Sequence, residues 1–129
     1  MHRVLRRIAF VSCITALAML AWLPANAMTR TTWGGHTEHL IAYLATTIAM
    51  GLAFPGSRRL AVHGILLIGY AAILEVGQLH VPGRHASFGD FGFGATGVAI
   101  GSLCLWIARV RLSAVAVPIL TVLRRDLLR

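Results

Sequence analysis

A chain of 129 residues that is 57% hydrophobic and 12% charged has too little polar surface to clothe a soluble domain, and it reads as one integral membrane domain over residues 1–129. The formal charge of +8 comes from arginines gathered near the ends of apolar runs, a pattern of membrane topology that leaves no basic face for a nucleic-acid partner. Cys13 and Cys104 fall inside apolar runs, where no disulfide is implied.

Crossing a hydrocarbon core of about 30 Å takes about 20 helical residues. The first apolar run, 8–23, follows Arg3, Arg6 and Arg7 and ends at Pro24. A cleaved signal peptide competes for this run, because Ala25-Asn26-Ala27 would serve as a cleavage site. The apolar core exceeds the usual ~7 to 15 residues and Pro24 sits close to the site, which favours an uncleaved span. The second run, 39–54, ends at Pro55-Gly56-Ser57, and the third, 60–79, ends ahead of Pro82-Gly83; each break removes a helical donor or loosens the backbone. The fourth run is 92–110. A fifth, 112–123, is too short to span, contains Pro118 and leads into Arg124, Arg125 and Arg129, which predicts an amphipathic helix lying on an anionic leaflet. The predicted fold is therefore all-α, with four transmembrane helices and a carboxy-terminal interfacial helix in the tail 112–129.

With a cytoplasmic amino terminus, Arg3, Arg6, Arg7, Arg58, Arg59, Arg109, Arg111, Arg124, Arg125 and Arg129 lie inside, against Arg30 and Arg84 outside. The positive-inside rule selects that orientation, with both termini cytoplasmic.

Glu75 is the residue that most needs a reason, since an acidic side chain within a bilayer helix costs roughly 2.5 to 3.5 kcal/mol and faces a protein interior or cavity. It shares its helix face with Ala71, Ala72 and Gln78, small residues that let a neighbouring backbone approach while the polar group finds a partner. On the second helix, His39, Ala42, Tyr43 and Thr46 project together. In this topology the two polar faces meet at one depth near the outer surface. The turn at Pro82-Gly83 then hangs Arg84 over the mouth, with Asp90 beyond it. Gly97 and Gly101 stand in the small-xxx-small spacing of tight helix packing, against this bundle or another membrane protein.

Other chemistries find less support. His36, His39, His80, His85 and Glu38 gather near the outer surface without a zinc-site spacing. Ser87 lies near His85 and Asp90, but such closeness in a turn is frequent and proves no triad. Trp22, Trp33 and Trp106 sit near span ends, as interface anchors do. No metal, cofactor or catalytic residue is assigned.

The ordered set His39 and Tyr43, Glu75 and Gln78, Pro82-Gly83-Arg84, Asp90 and Gly97 resembles the pattern of the VanZ-like family of bacterial membrane proteins, over residues 39–101. The chain departs from it at Gly94, where the family usually carries asparagine, and at Gly35-His36, where it carries an acidic and basic pair. The resemblance implies a cell-envelope role and a link to antibiotic resistance of the glycopeptide, teicoplanin type. Taken with the residues, it predicts that Glu75, Gln78, His39, Tyr43 and Arg84 form an outward pocket for a membrane lipid or a lipid-linked, anionic envelope precursor, with Asp90 orienting Arg84 or capping the fourth helix. The alternatives are a membrane enzyme acting on such a lipid, with Glu75 or His39 as acid and base, and an assembly partner held to other proteins through Gly97 and Gly101.

Overall fold

The computed structural model describes residues 1–27 and 32–127, and the side chains among them apart from Ser57, Arg58 and 115–127. Four helices follow one another: α1 (His2–Trp22), α2 (Gly35–Ala53), α3 (Ser57–Gln78) and α4 (Phe88–Leu127), with a single 3-10 turn at Ala25–Ala27. Contacts at the two ends set their directions. At one end the Arg7 guanidinium lies 5.6 Å from the Phe54 ring centroid, and Arg109 of α4 donates to the carbonyls of Gly56 and Gly51 at 2.9 and 3.1 Å. At the other, Arg84 donates to the Leu20 carbonyl at 2.6 Å and the Ala25 amide to the Pro82 carbonyl at 3.4 Å. The helices therefore run alternately up and down, and Arg3, Arg6, Arg7, Arg59 and Arg109 share one end of the bundle.

Among the described residues three helices are long and apolar enough to cross a membrane: His2–Trp22, Arg59–Gln78 and Phe88–Ala114. That is one fewer than expected. The helix outside this set is α2, whose first turns carry His36, Thr37, Glu38 and His39, so its apolar part is short. It packs on the other three helices, with Tyr43, Thr46, Thr47, Met50, Gly51 and Ala53 buried. The hydroxyls of Thr46 and Thr47 donate to the carbonyls of Ala42 and Tyr43 at 2.8 and 2.7 Å, which lets polar side chains sit in an apolar interior without unmet donors.

Glycines on α4 seat α2. A Cβ on Gly97 would collide with the Leu40 carbonyl oxygen, and one on Gly101 would stand 2.9 Å from Thr47 Cβ. The small-xxx-small face is thus filled by this chain's own second helix. Around that contact, Leu17, Ala21, Met50, Leu67, Ala71, Leu74 and Val98 form the core, and the Tyr70 hydroxyl ties α3 to α1 through the Ile14 carbonyl at 2.9 Å.

The carboxy-terminal expectation needs correction. No turn separates a fifth helix, because α4 runs on for 40 residues through Pro118, about 60 Å at roughly 1.5 Å per residue. Nothing between Val110 and Ala114 breaks a helix, and a proline can be carried within one at the cost of a single hydrogen bond and a bend. The amphipathic face expected over 112–123, with Arg124, Arg125 and Arg129, lies outside the described side chains, as do Arg58 and Arg30. The other helix ends also differ from the apolar runs. α1 starts at His2 because arginine is a good helix former, and α4 starts four residues before Gly92 because Ser87 caps it.

Candidate functional site

The loop between α3 and α4 builds the site. Val81-Pro82-Gly83-Arg84 closes with the Arg84 amide on the Val81 carbonyl at 3.1 Å and Gly83 at φ 74°, the glycine-requiring position of a type II turn after proline. The turn aims Arg84 at the end of α1, where Leu20 offers one of the carbonyls a helix end leaves unpaired. Ser87 then opens α4: its hydroxyl oxygen accepts from the Asp90 amide at 3.2 Å, and its carbonyl takes the Phe91 amide at 3.0 Å. The Ser-x-x-Asp spacing is that of a helix cap with an acidic residue in the first turn. The Ser87 amide donates to Glu75 Oε1 at 2.5 Å, so the buried carboxylate holds the start of α4 against the end of α3.

Glu75, Gln78, His39, Tyr43 and Arg84 line one cavity of about 80 Å³, completed by Glu38, Ala42, Leu74 and, from α1, Leu17, Leu20 and Ala21. Glu75, Gln78 and Tyr43 are 8%, 3% and 3% exposed. His39 Nδ1 donates to the Gly35 carbonyl at 2.9 Å, which leaves Nε2 as the free nitrogen of the ring. Arg84 Nε is buried without a hydrogen-bond partner. A buried guanidinium nitrogen without a partner is costly, and it marks a place where an acceptor would be welcome.

Asp90 is placed differently from both expectations. Ser87 does the capping, and Asp90 Oδ1 faces His36 Nε2 at 3.6 Å and His39 Nδ1 at 3.8 Å rather than Arg84. Asp90 thus sits behind His39, outside the cavity lining. Among the described residues no ion pair joins Arg84 to Glu75 either; Arg84 takes the Leu20 carbonyl of α1 and Glu75 the Ser87 amide across the loop. The imidazole of His36 stacks on Phe93 at 4.8 Å. No three His, Cys, Asp or Glu side chains among the described residues converge as a metal site would require.

A second hollow adjoins the first. It is an apolar groove of about 440 Å³ between the end of α3 and the start of α4, lined by Ala72, Val76, Leu79, Ala86, Phe88 and Phe91, with Glu75 and Ser87 at its polar edge. Glu75 is the wall common to both. Phe88, at the mouth, is 97% exposed. Sequence reasoning passed over Ser87 as a partner of Glu75, Glu38 as a cavity wall, and all three α1 residues. The Ser-x-x-Asp spacing could have flagged the cap. Nothing local announces the α1 contribution, which exists only once α1 packs beside α3.

Gly94 also gains a meaning. A Cβ there would stand 2.9 Å from the Tyr43 ring, so no larger residue could be carried without moving Tyr43. Comparisons with protein-family models, with curated proteins and with solved structures return no match.

Proposed function

We propose that the chain is a VanZ-like inner-membrane protein that holds the headgroup of an anionic or lipid-linked envelope component in the Glu75 cavity, with the arginine-rich end cytoplasmic and the cavity facing outward. The observation that carries this reading is that Glu75 stands between an apolar groove and a small, mostly apolar cavity into which Arg84, Gln78, Tyr43 and His39 bring polar groups, an arrangement suited to an amphiphile. The cavity, about 80 Å³, has room for a phosphate-sized group. Arg84 supplies the positive fork for an anionic oxygen, and Tyr43 and Gln78 add neutral donors. Glu75 only accepts when ionised, so the headgroup must also bring a hydroxyl or amine to it. An acyl or polyprenyl chain would lie in the groove toward Phe91. A role in teicoplanin-type susceptibility would follow if that ligand belongs to cell-wall assembly.

A structural role is the competing reading, favoured by the bonds that Glu75 and Arg84 already make to Ser87 and Leu20. Lipid extracts of wild type and Arg84→Gln purified in mild detergent separate the two. A phosphate-bearing lipid enriched with wild type and lost with Arg84→Gln, at equal helicity, supports binding. Identical extracts assign the cluster to packing.

A further inference from the structure

At the opposite end of the bundle, α1 and α2 leave an open trough of about 380 Å³, lined by Ala9, Leu44, Ala45, Ile48, Ala49 and Leu52, with Arg6 at its rim. Its depth comes from Ala9, Ala45 and Ala49, whose single methyl groups stand where larger side chains would fill the seam. From Leu44 to Leu52 it extends about 12 Å along the helix, close to the half-thickness of a hydrocarbon core, about 15 Å. Arg6 has no hydrogen-bond or ion-pair partner among the described residues, and Arg3, three positions earlier, lies on the same helix face. Arg7 is turned to Phe54 and stands apart from this pair.

We propose that this trough binds one anionic glycerophospholipid of the adjacent leaflet, with an acyl chain against Ala9, Ala45 and Ala49 and its phosphate at Arg6. Charge decides between occupants. The acidic side chains that the structure describes, Glu38, Glu75 and Asp90, all belong to the other end of the bundle, so none of them in a second copy packed here side by side would neutralise Arg6. An anionic phospholipid brings both the apolar chain and the countercharge. The site is separate from the Glu75 cavity, and neither proposal depends on the other.

The test is native mass spectrometry of the delipidated full chain titrated with phosphatidylglycerol or phosphatidylcholine of the same acyl length. Wild type should retain phosphatidylglycerol about fivefold better, the order expected for one arginine near a membrane surface. Arg6→Gln, at an exposed position, should lower that ratio about fivefold, and Ala49→Phe should lower retention of both lipids by filling the trough. Equal retention of both lipids by wild type, or a ratio that survives Arg6→Gln, overturns the proposal. A dimer abolished by Ala49→Phe, with no lipid preference, overturns it in favour of a second copy.

Discussion

Replacing Gly97 with alanine probes the contact on which the bundle rests. The new Cβ would collide with the Leu40 carbonyl oxygen and stand 3.0 Å from the Leu44 amide nitrogen, both backbone atoms of α2, so no side-chain rotation can relieve it. The helices must move apart, and overpacking of this kind costs about 1 to 3 kcal/mol. Alanine also favours helix over glycine by about 1 kcal/mol, so the net loss should be about 0 to 2 kcal/mol. Gly69→Ala is the matched control: it lies within α3 and its Cβ meets nothing within 4 Å, so only the propensity gain of about 0.5 to 1 kcal/mol remains. Unfolding of both variants in mixed micelles, followed by helicity, should separate them by about 2 kcal/mol in opposite directions from wild type. Equal stability of Gly97→Ala and Gly69→Ala would refute the close α2–α4 crossing.

Ser87→Ala removes the cap of α4 and should cost about 1 kcal/mol in the same unfolding assay, with faster amide exchange at Asp90. Arg109→Met deletes two charge-assisted hydrogen bonds, to the carbonyls of Gly51 in α2 and Gly56 in the turn before α3, and should cost about 2 kcal/mol, whereas Arg111→Met at an exposed position should be nearly neutral. In a background lacking Cys13 and Cys104, a cysteine at exposed His85 should react with a membrane-impermeant maleimide in intact spheroplasts, and one at Arg111 only after lysis; the reverse pattern would invert the topology.

Much of the site could be read from local spacing. Glu75 and Gln78 share a face, His39 and Tyr43 share another, and the Pro82-Gly83 turn delivers Arg84 beside them, because helical period and turn chemistry act over a few residues. Charge segregation was equally legible, since alternating helices carry Arg7 and Arg109 to one end. The partners of Glu75 and Arg84 were not. Both are backbone groups, the Ser87 amide and the Leu20 carbonyl, and every residue has such groups, so no residue type signals them. The count of spans failed at α2, where burial against α4 replaces hydropathy as the reason for a polar helix end to sit among the others. The separate carboxy-terminal helix failed because a change in composition at Leu112 does not interrupt the backbone.

Native mass spectrometry of the gently solubilised protein, wild type against Glu75→Ala at matched helicity, tests the central claim most directly. A lipid-anchored, phosphate-bearing species bound one to one in wild type and missing from Glu75→Ala is the predicted result. The same bulk lipids on both forms would contradict it and reduce the cavity to a set of struts between α1, α2 and α3.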